Sequence, residues 1–179
     1  EELTAGRTLW RDNRMKRKTA VLGMLAAAAL LLSYVESILP LTPGIPGVKL
    51  GLPNLIVVLC LYLYGWKEAL LMNLARVLLS SFLFGNLYGM LYSLCGALFS
   101  FAAMGLSKRS QRFSMVGVSV LGGVFHNIGQ LLAAIFVVQT IQIGYYLPWL
   151  LIAGCLAGIF NGICARTALN HLPADIEKK

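Results

Sequence analysis

Acidic side chains are scarce in this chain: seven Asp and Glu stand against fifteen Lys and Arg among 179 residues. Aspartate occurs only at Asp12 and Asp175, both near the ends. Chemistry that holds magnesium between clustered aspartates therefore has no residues to use. Histidine occurs twice, and His171 falls in the basic C-terminal region, so paired histidine ligation of haem is excluded. The four cysteines, Cys60, Cys95, Cys155 and Cys164, sit singly inside apolar blocks and form no CxxC pair. They read as small buried hydrophobes rather than zinc or iron–sulfur ligands. No HExxH, GxSxG, P-loop or DxD motif is present, so no enzyme is expected, and neither is a cofactor or a metal.

What the chain has in quantity is apolar sequence. It is 58% hydrophobic with a mean hydropathy of +0.76, outside the soluble range. The formal net charge of +8 would suggest nucleic acid in a soluble protein. Here the cations gather at the ends of hydrophobic blocks, and no basic face is interleaved with aromatics, so no nucleic-acid partner is expected. The bilayer is the expected environment, with the positive charge directed at an anionic inner leaflet.

Six hydrophobic blocks are predicted as helices, over residues 20–39, 52–64, 68–84, 88–106, 115–139 and 146–165. Crossing a membrane takes about 20 residues, so the second and third blocks are marginal in length. The run from Met15 to Leu32 has the basic and apolar regions of a signal peptide. A cut after Ser37 would lack the A-x-A pattern, so a retained first helix is expected. Residues 1–14 precede an internal methionine and are given no functional weight. The expected organisation is a basic cytoplasmic segment over 1–18, a six-helix transmembrane domain over 19–166 with an external loop over 39–54, and a cytoplasmic tail over 167–179.

Lysine and arginine orient these blocks. Arg7, Arg11, Arg14, Lys16, Arg17 and Lys18 precede the first block, and Lys67 lies between the second and third. Lys108, Arg109 and Arg112 lie between the fourth and fifth, and Arg166, Lys178 and Lys179 follow the sixth. All of them become cytoplasmic together if both termini are inside. The connections 85–87 and 140–145 carry no charge. Tyr88, Tyr145, Tyr146 and Trp149 stand where an outer aromatic belt would lie, and Trp66 marks the inner one. The expected fold class is thus an all-α integral membrane protein, a six-transmembrane-helix bundle of the multi-pass kind.

Two cations do not fit the orientation rule, Lys49 and Arg76. Arg76 falls near the middle of the third block, where a charge costs at least about 2.5–3.5 kcal/mol on insertion scales. A guanidinium at that depth needs a carboxylate, carbonyls or an anionic ligand. Glu36 is the one acid deep enough to serve, and it can balance Arg76 or Lys49 but not readily both. The alternative is an internal ion pair with a snorkelling lysine. Lys49 lies in LPLTPGIPGVKLGLPN (39–54), whose prolines and glycines shape a non-helical segment that would fold back over the bundle mouth.

His126, Asn127 and Gln130 cluster in the fifth block behind Gly122 and Gly123, and are expected to line a cavity or to bridge helices. Asn54, Asn73, Asn86 and Asn161 are weaker candidates, and Asn86 is expected to turn with Gly85. Small residues recur at helical spacing at Gly154, Gly158 and Gly162, at Gly89, Ser93 and Ala97, and at Gly23 and Ala27. These faces serve either packing within the bundle or docking of another membrane subunit.

The segments SYVESILP (33–40), PGVKLGLPN (46–54), GWKEALLMNLARVLLSSFLFGN (65–86) and GGVFHNIGQ (122–130) resemble the Gx transporter family, also named heptaprenyl diphosphate synthase component I. The resemblance covers nearly all of 19–165. That family is grouped with the substrate-binding S components of energy-coupling factor (ECF) transporters, six-helix bundles that bind a vitamin or similar micronutrient near the outer surface. It implies a small-molecule substrate, a lid over 39–54, and partnership with an ECF transmembrane coupling subunit and two ATPase subunits. It also implies that the first helix docks the coupling subunit through small residues. S components often carry AxxxA there; this chain has Gly23 and Ala27 at that spacing. The substrate-binding residues expected on the two grounds together are Glu36, Lys49, Asn54, Arg76, His126, Asn127 and Gln130. The synthase name implies a second role, as a non-catalytic subunit in prenyl diphosphate or quinone synthesis. A third, suggested by families of this kind, is a membrane platform for flavin- or quinone-linked extracellular electron transfer.

Overall fold

A computed structural model describes residues 2–38 and 51–172. Lys49 and the rest of the proposed lid up to residue 50 lie outside the described residues, as does the end of the tail. The described residues form six α-helices: α1 (Glu2–Ile38), α2 (Leu52–Leu63), α3 (Trp66–Phe84), α4 (Leu87–Ser110), α5 (Met115–Val138) and α6 (Leu147–His171). A 3-10 helix, Ile141–Tyr146, leads into α6. Among the described residues there is no strand.

The ends of the helices follow local chemistry. The Asn86 side chain caps α4 by accepting from the Gly89 N–H at 2.7 Å, so Asn86 does serve the turn after Gly85. Ser114 caps α5 by accepting from Gly117 N–H at 3.2 Å. Lys108 and Arg109 occupy the last turn of α4, where cations complement the helix dipole. Gly65 separates α2 from α3 at φ 94°, a conformation open to glycine at little cost.

Three helix ends reach well beyond the apolar blocks read from sequence. The basic segment is not a separate piece: α1 runs unbroken from Glu2 to Ile38, because charged straight-chain residues are good helix formers and nothing before Pro40 interrupts them. The fourth and sixth helices likewise extend beyond their apolar blocks, to Ser110 and His171. The apolar run and the hydrogen-bonded helix need not share the same ends.

Four stretches are long and apolar enough to cross a membrane: Met15–Ile38, Leu87–Ser110, Met115–Val138 and Ile141–His171. The α2 helix is apolar but has only 12 residues, and α3 carries Lys67, Glu68 and Arg76. Short as it is, α2 lies at the centre. It packs against α1, α3, α5 and α6, while α3, α4, α5 and α6 pack in succession around it, with α1 against α3. Val57, Val58, Cys60 and Leu61 are almost wholly buried, as expected of a helix that is hydrophobic on every side. The outer helices turn their large apolar side chains outward instead, with Leu71, Phe82, Leu106 and Phe136 all at least 70% exposed. An apolar surface of this extent suits a multi-pass membrane protein.

The strongest helix contacts join α4 to α5 and α5 to α6, and both are made through glycine. A Cβ added to Gly123 would lie 2.4 Å from the Gly154 carbonyl oxygen, and one added to Gly158 would lie 2.5 Å from Val120 Cα. Gly162 similarly meets Val116. The small-residue stripe of α6 is thus consumed by packing within the molecule. In contrast, Gly23 of α1 has nothing within 4 Å of its added Cβ, and both Gly23 and Ala27 are exposed.

Candidate functional site

Charge and polarity separate along the bundle. At one end, Lys18 of α1 pairs with Glu68 of α3 and lies over the Tyr64 ring. Lys108 of α4 donates to the Leu61 carbonyl at the end of α2 and lies 4.5 Å from the Tyr62 ring centroid. Lys67 reaches the Trp66 ring. The other end holds Glu36, and the helical rise places it about 27 Å along α1 from Lys18.

At that second end the helices diverge around a polar cleft of about 110 Å³. Its wall is built from Ser33 and Glu36 of α1, Asn54 of α2, Arg76 and Ser80 of α3, Ser93 of α4 and His126 of α5. Each contributor follows from helical spacing. Ser33 and Ser37 stand one turn apart on α1, and so do Arg76 and Ser80 on α3, so each pair presents one face.

The entrance of α2 is tied at Gly51, whose φ of 67° places it in the left-handed region. Its N–H donates to the Glu36 carboxylate. Its carbonyl accepts from Asn161 Nδ2 of α6 at 2.8 Å and from the Asn54 N–H at 2.9 Å. Three helices therefore converge on one backbone unit, and Glu36 and Asn161 act first as its clasp. Asn54 packs close by, its Nδ2 only 3.2 Å from where a Gly51 Cβ would lie.

Arg76 is 7% exposed. Its Nη2 donates to Asn73 Oδ1 at 2.7 Å and its Nη1 to Ser33 Oγ at a long 3.5 Å. Its Nε is buried without an acceptor. The hydrogen bonds of this guanidinium thus go to neutral oxygens, while the Glu36 carboxylate on the same cleft accepts from the Gly51 N–H and acts on Arg76 through its charge. A cation taken out of water with a donor left unsatisfied is costly, by several kcal/mol before compensation. An oxygen acceptor placed beside Nε would complete its hydrogen bonding.

The α5 cluster does not act as one surface. His126 lines the cleft. Asn127 turns to α6 and donates to the Leu150 carbonyl at 2.7 Å, which makes it a helix bridge. Gln130 lies against α4, where Gly96 allows it and the His126 carbonyl to approach closely. Gln130 Oε1 is buried without a hydrogen-bond partner. Of the residues singled out from sequence, the cleft therefore brings together Glu36, Asn54, Arg76 and His126, and leaves out Asn127 and Gln130. Asn73 is Arg76's positioning partner, and Asn161 belongs to the clasp.

Sequence reasoning missed the hydroxyls, Ser33, Ser37, Ser80, Ser81 and Ser93, and missed Gly51 itself. Their signal was present: serines in otherwise apolar helices, several at one depth and at i, i+4 spacing from a charged residue. No metal cluster of His, Cys, Asp or Glu occurs among the described residues.

Residues 25–168 match the family model described as heptaprenyl diphosphate synthase component I. No curated protein and no solved structure matches the chain.

Proposed function

The chain belongs to the heptaprenyl diphosphate synthase component I family, and from that premise we propose that it is the substrate-binding membrane component of an ECF-type importer for a small anionic or polar micronutrient. In this reading all six helices are embedded, both termini are cytoplasmic, and the polar cleft opens to the outside. It is not an enzyme. The observation that carries the reading is Arg76: buried, bonded to neutral oxygens, and walled by serines at the end of the bundle opposite its cations. A ligand carboxylate or phosphate would supply the acceptor that Nε lacks. His126 and Asn54 would read the polar body of the ligand, and Glu36 would hold the cleft's edge through Gly51. Lys49, two residues before Gly51, would join from the lid.

Coupling would fall to the exposed Gly23 and Ala27 face of α1, where no described residue comes within 4 Å of a Cβ added at Gly23. A transmembrane coupling subunit seated there would link the bundle to two ATPase subunits.

A second reading is supported by the family's description: a non-catalytic membrane subunit of a prenyl diphosphate synthase. The two part in one experiment. Native mass spectrometry of the detergent-purified protein, with identification of co-purified small molecules, should find a water-soluble anionic metabolite that is lost in Arg76→Ala. A bound prenyl diphosphate or quinone instead of such a metabolite would overturn the importer reading and favour the second.

A further inference from the structure

The outer surface of α4 carries a feature that the polar cleft does not use. Leu98, Ala102 and Leu106 stand at i, i+4 and i+8, a single stripe along the helix. Each of the three lines two separate open grooves, one on either side of the stripe. The groove toward α2 and α3 holds about 800 Å³ and is completed by Trp66, Leu70 and Phe101. The groove toward α5 holds about 640 Å³ and is completed by Phe99, Leu121 and Phe125. Neither is lined by an acidic residue.

Both grooves run to the end of the bundle where the cations lie. The first closes on Lys108 and Arg109, and the second on Ser110 and Phe113 just beyond them. From Leu98 to Lys108 the helix rises about 15 Å, half of a hydrocarbon core of about 30 Å. The grooves therefore have the length of one leaflet. A crossing helix from a partner would need about twice that length. Trp66, at the mouth of the first groove, is of the residue type that settles at the headgroup level.

We propose that this face binds one diacyl anionic phospholipid from the leaflet at the cation-rich end. Its two acyl chains straddle the Leu98–Ala102–Leu106 ridge, and its phosphate meets Arg109, which is exposed, and Lys108. Two chains on one headgroup match two grooves on one ridge with one cationic end. The ionic part is the familiar attraction of basic side chains between helices for anionic headgroups. The site is independent of the importer reading, because it shares no residue with the cleft.

The test is native mass spectrometry of delipidated protein titrated with dioleoyl phosphatidylglycerol or dioleoyl phosphatidylcholine. One phosphatidylglycerol should be retained at concentrations where phosphatidylcholine is not. Arg109→Ala should weaken that retention about fivefold, the loss of one cation near a headgroup. Ala102→Trp should block both grooves and abolish it. Arg166→Ala, an exposed cation on α6, should leave it unchanged. Arg109 and Ala102 are both exposed, so these variants should melt like the parent in detergent. Equal retention of the two lipids, or an Arg109→Ala that behaves like Arg166→Ala, overturns the headgroup assignment. Undiminished retention in Ala102→Trp, or lysophosphatidylglycerol held as tightly as the two-chain lipid, overturns the two-groove seat.

Discussion

The α4–α5–α6 side and the α1–α2–α3 side of this bundle are held together by opposite means. On the first, glycines let backbones approach until no further carbon fits: Gly96 and Gly129 between α4 and α5, and Gly123, Gly154, Gly158 and Gly162 between α5 and α6. On the second, helices stand apart far enough to leave a serine-walled cleft, with a buried guanidinium that its neighbours satisfy only in part. Close packing gives rigidity without recognition. The open side instead leaves space beside a buried cation, Arg76, whose Nε has no acceptor. His126 is where the two meet, projecting from the rigid side into the cleft.

The comparison breaks most directly at Gly123. Gly123→Ala places a carbon against the Gly154 carbonyl, and overpacking of this kind costs about 1–3 kcal/mol. A thermal melt in detergent should show a large drop in Tm; an unchanged Tm would mean that this contact does not hold the two helices. Arg76→Met should do the reverse. Removing a partly satisfied buried charge should leave the melt unchanged or raise it, while ligand affinity falls about 10- to 100-fold with the charged hydrogen bonds. A lower Tm with intact binding would make Arg76 a structural residue and dissolve the contrast.

Gly51→Ala sharpens the comparison from the cleft side. A side chain in the left-handed region costs about 1–2 kcal/mol, and Asn54 leaves little room for it. Melting should shift modestly, and affinity should fall because the Glu36–Gly51–Asn161 clasp is displaced. The smallest effect on stability is expected for Gly23→Leu with Ala27→Leu. Nothing lies near Gly23, and exposed changes stay within about 0.5 kcal/mol. Ligand binding should persist while co-purification of a coupling subunit is lost; retained co-purification would remove this face from the docking model.

Much of this could be read before any coordinates. Helix positions were legible because apolar runs bounded by glycine, proline and charge are strong signals, and α5 begins at Met115 as its block does. Arg76 announced itself by the cost of its position, and His126 by clustering with Asn127 and Gln130 in an otherwise apolar block. That Asn127 bridges helices, one of its two expected roles, and that Gln130 lies against α4 have a simple geometric cause. Consecutive helical residues point about 100° apart, so Asn127 faces α6 when His126 faces the cleft. Gln130, one turn along, is covered because Gly96 lets α4 close over it. The serines escaped notice because each is unremarkable alone, and only their convergence makes a wall.

The amino-acid sequence by itself determined an all-helical, membrane-suited chain with most of its cations gathered outside the apolar blocks and Arg76 isolated within one, since hydropathy and charge act locally on each segment. Only the tertiary structure decided that the short α2 is the centre and that α6 spends its glycines on α5. It also decided that Arg76 shares a cleft with Glu36 and His126 rather than with Asn127 and Gln130. Those outcomes depend on which helix faces turn toward one another, and that choice is made by close packing between segments far apart in the chain.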